Sequence, residues 1–178
     1  EGKGKIEYKD VSFSYPPREE IVEEGRTIKV VKTKSESQEG GLKKISLSIE
    51  PGQRVAIVGH SGAGKSTMIQ LLIRAYDPEK GKIIIDDYDL KDLSLSEYRQ
   101  KLGIVPQDVA LFDNTLRYNI LFGANKEVSD KELKKAVEMA RVDEFLGGME
   151  SGLDTVIGER GVKLSGGERQ RVGIARAL

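Results

Sequence analysis

The most constraining stretch of the sequence is an apolar run that leads into a glycine-rich loop. Residues 55–58 are VAIV, and GHSGAGKST follows at 59–67. A continuously apolar run is typical of a strand covered on both faces, and the pattern after the loop predicts a helix over 65–76. The loop glycines let the backbone turn its N–H groups inward, beside the partially positive N-terminus of the helix. This strand, loop and helix predict an α/β fold with an anion-binding loop.

The loop matches the pattern G-x-x-x-x-G-K-[ST], which cradles nucleotide phosphates in ATPases, GTPases and kinases. In that pattern the amine of Lys65 reaches the β- and γ-phosphates, and the hydroxyl of Ser66 coordinates Mg²⁺. His60 occupies an unspecified position of the pattern, where a solvent-facing side chain is the simplest expectation. The predicted nucleotide-binding residues of the loop are Gly59, His60, Ser61, Gly62, Ala63, Gly64, Lys65, Ser66 and Thr67.

Composition narrows the class of protein. The 178 residues are enough for one domain with a buried core, and the absence of cysteine excludes disulfides and thiolate zinc sites. Twenty-nine Lys and Arg balance twenty-nine Asp and Glu, so no net charge attracts the chain to nucleic acid or anionic lipid. No apolar run approaches the roughly 18 residues of a membrane span. The composition therefore predicts no nucleic-acid partner and suits a reducing compartment.

A second motif, LSGGERQR at 164–171, indicates a family. It resembles the signature of ATP-binding-cassette (ABC) ATPases, and the resemblance covers the chain apart from residues 18–41. In this family the signature offers a helix N-terminus to the γ-phosphate of ATP held by a second subunit. The resemblance implies ATP and Mg²⁺ as cofactors, Lys65 as a catalytic residue, and a second nucleotide-binding domain, packed head to tail, as a partner. The signature residues carried over are Ser165, Gly166, Gly167 and Glu168, the last where the family commonly has glutamine.

Three further sites are implied by the same resemblance. Tyr15 lies where the family places a ring that stacks on adenine, with plain packing beside Phe13 as the alternative. Gln107 resembles the glutamine that meets Mg²⁺ or the attacking water, and is predicted to be catalytic, nucleotide-binding and metal-ligating. GERG at 158–161 resembles a loop of ABC exporters that touches the transmembrane part, with a polar turn as the alternative. DNTLRYNILFG at 113–123 also resembles the exporter branch, closest to heavy-metal or glutathione-conjugate exporters.

The implied fold is an α/β P-loop NTPase core of the ABC type, with an antiparallel β subdomain and a small α-helical subdomain. We predict a mainly β part over 1–53, the core over 54–107, the helical subdomain over 108–164 and the signature helix over 165–178. Within the first part, the charged residues 18–41 are predicted to form an exposed hairpin or loop rather than a docking arm.

Local patterns predict the elements of these parts. Alternation favours a strand over 6–15, with Val11, Phe13 and Tyr15 on one face, and a second one from residue 42 to a turn at Pro51-Gly52. GKIIIDD predicts a further strand, and SEYRQKLGIVPQ predicts a short helix followed by a strand that ends at Pro106. We expect a distorted turn at Asp86-Asp87, because the family usually has Asp-Gly there. Helical spacing between Asp108 and about Leu153 places Leu133, Val137 and Ala140 on one face.

The resemblance implies the ATP-binding and ATP-hydrolysing part of an ABC exporter, joined to a transmembrane domain at the cytoplasmic face of a membrane. One alternative is a soluble ABC ATPase of chromosome maintenance or DNA repair, but the stretch between Gln107 and Leu164 is too short for the long coiled coils of that class. Another is a non-catalytic nucleotide-binding regulator. The family's Mg²⁺-binding Asp, catalytic Glu and switch histidine have no counterpart here, so we expect a C-terminally truncated domain that binds nucleotide weakly, dissolves poorly and does not hydrolyse ATP.

Overall fold

The computed structural model describes residues 2–16, 18–24, 27–33, 41–124, 126–158 and 162–178. The chain divides into two compact units, Glu1–Arg99 and Gln100–Leu178. The finer division into four parts that the sequence suggested stays a prediction.

The first unit contains most of the β-structure. Its strands are β1 (Ile6–Phe13), β2 (Arg18–Glu24), β3 (Thr27–Thr33), β4 (Leu42–Ile49), β5 (Lys80–Ile85) and β6 (Tyr88–Asp89). Four of them form an antiparallel sheet in the order β4-β1-β5-β6, and β2 pairs with β3 in a separate sheet. The predicted hairpin within 18–41 is therefore present as paired strands, while residues 25, 26 and 34–40 lie outside the described part of the chain.

The central strand β1 departs from simple alternation. Its pairing register with β4 shifts between Tyr8 and Val11, and Asp10 there has a φ of +50°. A bulge of this kind inserts an extra residue, so Tyr8 and Val11 are both buried although three positions apart. The strand ends at Phe13, so Tyr15, which the alternation placed in the strand, lies beyond its end.

Two helices and a 3₁₀ turn complete the first unit, namely α1 (Lys65–Leu72), the turn at Leu90–Asp92 and α2 (Leu95–Arg99). Helix α1 is shorter than the predicted 65–76. It ends where Arg74 adopts a φ of +52°, a left-handed conformation that a helix cannot continue. The hydroxyl of Tyr98 donates to Leu72 O at 2.8 Å, and the Arg99 guanidinium donates to Ile73 O and Arg74 O. These donors satisfy carbonyls that the end of a helix leaves unpaired.

The predicted buried strand at 55–58 is wrong for this structure. Its residues belong to no strand, and the side chains of Val55, Ile57 and Val58 are 55%, 37% and 87% exposed. Burial on both faces requires paired strands on either side and packed elements above and below. The described residues give this run no hydrogen-bonded strand neighbour, so its apolar side chains stay exposed.

The strand predicted to end at Pro106 is also absent. Residues 102–107 are not in a strand, and Ile104 and Val105 are exposed, for the same lack of paired neighbours. The short helix that the same stretch predicted is confirmed as α2.

The Asp86-Asp87 turn keeps its hairpin geometry, contrary to the expected distortion. It joins β5 to β6 with Ile85 paired to Tyr88, and both aspartates have positive φ, +47° and +76°. Asp86 Oδ1 accepts hydrogen bonds from the backbone N–H groups of Gly4 and Lys5, each at 2.8 Å. Because aspartate tolerates the left-handed region better than most residues, this turn forms without glycine.

The second unit is mainly helical, as predicted. Its helices are α3 (Leu116–Leu121), α4 (Asp130–Met139), α5 (Asp143–Leu146) and α6 (Gly166–Ala177), with short strands β7 (Asn114–Thr115) and β8 (Val156–Ile157) and a 3₁₀ turn at Gly152–Asp154. The side chains of Leu133, Val137 and Ala140 are all buried, which confirms the predicted face. They share a core with Leu116, Ile120, Val142, Ile157, Leu164, Val172 and Ala175.

Candidate functional site

The phosphate loop turns sharply just before α1. Gly64 is the N-cap of the helix with a φ of +85°, and Gly62 has a φ of +81°. A Cβ atom on Gly64 would lie 2.6 Å from Leu42 Cδ2 and 3.4 Å from Gly41 O, whereas a Cβ on Gly62 would meet nothing within 4 Å. The backbone conformation at position 64 therefore favours glycine, and a Cβ there would also displace the Leu42 side chain.

The amine of Lys65 lies across this loop. Its Nζ donates to Gly59 O at 2.8 Å and to His60 O at 2.7 Å. Both partners are neutral carbonyls, and an ammonium group carries three donors. The positive charge is thus held at the loop, where a phosphate oxygen could replace a carbonyl as the acceptor and form a stronger, charge-assisted bond.

The other predicted loop residues differ in exposure. Ser61, Ala63 and Ser66 are exposed, and so is His60, whose Nδ1 lies 2.7 Å from Ser61 O. The side chain of Thr67 is only 3% exposed, and its Oγ1 lies 3.0 Å from the hydroxyl oxygen of Tyr15. The hydroxyl of Ser66 can therefore reach a ligand in solution. The hydroxyl of Thr67 is instead in contact with Tyr15 of the same chain.

Tyr15 lies beside α1, in the same unit as the loop. Its hydroxyl donates to Gln70 Oε1 at 2.9 Å as well as contacting Thr67, and the residue as a whole is 41% exposed. The ring also packs edge-to-face on Phe13, so the packing that the sequence offered as an alternative is present as well. The first unit thus brings Tyr15 to the helix that the phosphate loop begins.

The signature residues start α6 with a capping box. Ser165 is the N-cap, Ser165 N–H donates to Glu168 Oε2 at 2.7 Å, and Glu168 N–H donates to Ser165 Oγ at 3.4 Å. Hydrogen bonds from the side chain and the backbone of Ser165 lower the pKa of Glu168. Gly166 and Gly167 form the exposed first turn, so backbone N–H groups of a 12-residue helix face solvent there.

Gln107 lies in the second unit with the signature. It is exposed and lines a groove of about 850 Å³ together with Leu164, Gly166 and Gln170. Gln170 Nε2 donates to Pro106 O at 3.5 Å, which ties the signature helix to the residue before Gln107. The structure therefore forms two groups of predicted site residues, one in each unit.

The sequence did not reveal two residues that lie near Tyr15 and the phosphate-loop helix, Gln70 and Tyr76. Gln70 lies three positions after Thr67 on α1, and Tyr76 follows the end of that helix. A signal for Gln70 existed, because residues three apart on a helix share a face. The contacts of Tyr76 depend on the turn at Arg74, which no local pattern predicted.

Comparison with known proteins identifies the family. The family model described as ABC transporter matches residues 42–178, which is most of the chain. The chain belongs to the ABC transporter family. The predicted α/β P-loop fold of the ABC type, and the predicted nucleotide-binding domain of the exporter type, are confirmed.

Named relatives of this ABC transporter chain include exporters and flippases. It is 43% identical over 175 residues to the ABC transporter ATM1 of Toxoplasma gondii, covering 98% of this chain and 15% of that protein. It is 43% identical over 176 residues to the ATP-dependent lipid A-core flippase of Pectobacterium atrosepticum, covering 99% and 27%. A solved bacterial Atm1-family ABC exporter with ATP bound has a TM-score of 0.78 and 40% identity, covering 98% of this chain and 27% of the other. The ABC transporter chain thus spans less than a third of the length of these proteins.

In the loop predicted at 158–161, residues 159–161 lie outside the described part of the chain. No helix within the described ranges combines the length and the apolar character that a membrane crossing requires.

Proposed function

We propose that this chain is the ATP-binding part of an ABC exporter, in which ATP binding and hydrolysis drive transport by a transmembrane domain at the cytoplasmic face of a membrane. The observation that carries the proposal is the Lys65 amine, which lies across a glycine loop at the N-terminus of α1. A loop of positive-φ glycines, a helix N-terminus and an ammonium group together form a site for a polyphosphate.

In this site each element acts on a different part of the triphosphate. Backbone N–H groups between Gly59 and Gly64 donate to phosphate oxygens, and Lys65 neutralises the β- and γ-phosphates. Tyr15 stacks on the base, and the exposed position of His60 gives it a minor role. Ser61 and Ala63 are exposed beside these glycines. The Ala63 N–H donates to His60 O at 3.3 Å in this structure, and it would exchange that acceptor for a phosphate oxygen.

Mg²⁺ fits this site as a companion of the nucleotide. No cluster of three or more acidic or histidine side chains that could hold a metal occurs among the described residues. Mg²⁺ usually takes one or two protein ligands and completes its shell with phosphate oxygens and water. The exposed hydroxyl of Ser66 would supply one oxygen ligand to such an ion, and the exposed amide oxygen of Gln107 is the donor that the second unit could offer. When bound, the ion stabilises the charge that develops on the transferred phosphoryl group.

The second group of residues acts on nucleotide held by a partner domain. We infer that Ser165, Gly166 and Gly167 bind the γ-phosphate of ATP carried by a second nucleotide-binding domain, packed head to tail. Exposure of the first turn of α6 supports this role. Gln107 orients the attacking water, and Lys65 stabilises the transition state, so these two residues have the catalytic roles.

Calorimetry of Mg-ATP binding tests the proposal. Lys65→Ala removes a charge-assisted hydrogen bond, which is worth about 1.5–3 kcal/mol, so Mg-ATP affinity should fall by about tenfold or more. His60→Ala should change the affinity by no more than about twofold, because its ring bonds only to the neighbouring Ser61 carbonyl.

Lys82→Ala is the matched control, since it removes the same charge from an exposed position on β5. A loss in this variant equal to that of Lys65→Ala would show that general electrostatics, and not the loop, governs binding.

A further inference from the structure

Three aromatic rings form a cluster beside the phosphate-loop helix. The Tyr15 centroid lies 5.0 Å from that of Phe13 and 5.5 Å from that of Tyr76, with interplanar angles of 83° and 88°. Phe13 and Tyr76 are 5.4 Å apart. Edge-to-face pairs at these separations attract each other. Tyr15 is therefore braced by two rings, neither of which is stacked parallel to it.

The hydroxyl end of Tyr15 is fixed to α1. It donates to Gln70 Oε1 at 2.9 Å and lies 3.0 Å from Thr67 Oγ1. Thr67 and Gln70 lie on one face of the helix, three residues apart, so both contacts come from the same side. A phenol ring that is tied at its hydroxyl and braced by two other rings has little freedom to rotate.

These contacts join two segments that are far apart in sequence. Tyr15 follows β1, whereas Thr67 is the last residue of the phosphate-loop motif. A shared hydrogen bond therefore fixes the ring relative to the loop. Binding normally costs free energy for every side chain that must be immobilised, and a ring that is already held avoids that cost.

We propose that Gln70 and Tyr76 are positioning residues, which hold the Tyr15 ring so that a purine base attached to a triphosphate stacks on it. The inference rests on the proposed ATP-binding function, because it presupposes that the phosphates occupy the loop. Tyr15 as a residue is 41% exposed, and neither of the two rings packed against it lies parallel to it.

The experiment compares two ligands that share the triphosphate and differ by the adenosine. Mg-ATP and inorganic tripolyphosphate are titrated into the 178-residue chain by calorimetry. Tyr15→Phe keeps the ring and removes the hydroxyl, and Gln70→Ala removes its acceptor. Tyr15→Phe breaks the contacts with both Gln70 and Thr67, and Gln70→Ala breaks one of them. Since a hydrogen bond contributes a modest net amount, each variant should bind Mg-ATP about three- to tenfold more weakly and tripolyphosphate unchanged.

Tyr76→Leu removes one brace but leaves every hydrogen bond of Tyr15 in place. An edge-to-face pair contributes little more than a hydrogen bond, so we expect Mg-ATP affinity to fall about two- to tenfold, again without an effect on tripolyphosphate. Tyr88→Phe and Tyr88→Leu are the matched controls, because Tyr88 is an exposed tyrosine of β6 in the same unit. Both control variants should bind both ligands like the wild type.

Equal losses for the two ligands would mean that the variants only disturb the fold, and would overturn the proposal. Unchanged Mg-ATP affinity in Tyr15→Phe, Gln70→Ala and Tyr76→Leu would overturn it as well. If the wild type binds tripolyphosphate as tightly as Mg-ATP, the result supports the phosphate site but refutes stacking of the base on Tyr15. If the wild type binds neither ligand, the proposed nucleotide site itself fails, and the inference fails with it.

Discussion

Gly64 allows an energetic prediction that has a matched control in the same loop. Gly64→Ala forces an alanine to a φ of +85° and places its Cβ 2.6 Å from Leu42 Cδ2. The left-handed conformation costs about 1–2 kcal/mol for a residue with a Cβ. Overpacking against a buried side chain adds about 1–3 kcal/mol. The free energy of unfolding should therefore fall by about 2–5 kcal/mol.

Gly62→Ala provides the control, because it changes the same residue type in the same loop. Its φ of +81° imposes a similar conformational cost, but no atom lies within 4 Å of the new Cβ. Only the first term applies, so we expect a loss of about 1–2 kcal/mol. The difference between the two variants isolates the contact with Leu42.

Urea unfolding of the two variants, alone and in a Leu42→Val background, measures that difference. Valine lacks the δ-carbons, so Leu42→Val should relieve the clash and bring the cost of Gly64→Ala close to that of Gly62→Ala. Such a double-mutant cycle reports the coupling of the two sites directly. Equal destabilisation by both glycine variants in the wild-type background, or no coupling to Leu42, would refute the reasoning.

Three further predictions concern the second unit. Ser165→Ala should cost about 1 kcal/mol in urea unfolding through loss of the helix cap, yet leave Mg-ATP affinity of the single chain unchanged; a loss of affinity would contradict action on a partner's nucleotide. Asn119 is fully buried and bonds to Phe112 N, Phe112 O and Thr115 O, so Asn119→Leu should cost about 1–3 kcal/mol in the same assay, and a neutral result would refute those bonds. Hydrogen bonds from Lys126, then from Ser129, lower the pKa of Glu132 from 4.5 to about 2. Its stabilising contribution is therefore present above pH 4.5 and lost as the pH falls through about 2, and an NMR titration in which Lys126→Ala leaves this pKa unchanged would contradict the assignment.

The phosphate loop and the signature could be predicted because their chemistry is local. The positive φ of Gly64 is set within the loop itself, and the amine of Lys65 reaches the carbonyls of Gly59 and His60, whereas the close approach of Leu42 to Gly64 is not local. The Ser165 to Glu168 capping box also spans a single turn. Patterns of this kind are visible in the sequence because the interacting groups occupy fixed, short spacings.

The apolar runs at 55–58 and around Ile104 show where such reasoning fails. Their apolar composition indicates that the side chains would be buried. A strand also needs a hydrogen-bonded neighbour, however, and that neighbour is usually far away in the sequence. The described part of the chain pairs neither run. The bulge at Asp10 and the turn at Arg74 could not be predicted either. Each depends on a residue with positive φ, which the periodicity of apolar residues does not indicate.

Glu168 occupies the position where the family commonly has glutamine, and its charge affects both the signature helix and a bound phosphate. In the structure its carboxylate accepts the Ser165 N–H, and hydrogen bonds from Ser165 lower its pKa, so it is an anion at neutral pH. That charge stabilises the N-terminus of α6. It also lies in the first turn of α6, where Gly166 and Gly167 would meet a phosphate, and like charges at close range repel each other even in water. A glutamine could accept the same hydrogen bond without that repulsion. Glu168 therefore stabilises the signature helix when no ligand is bound. We expect the same charge to weaken binding of the γ-phosphate that we propose for the signature.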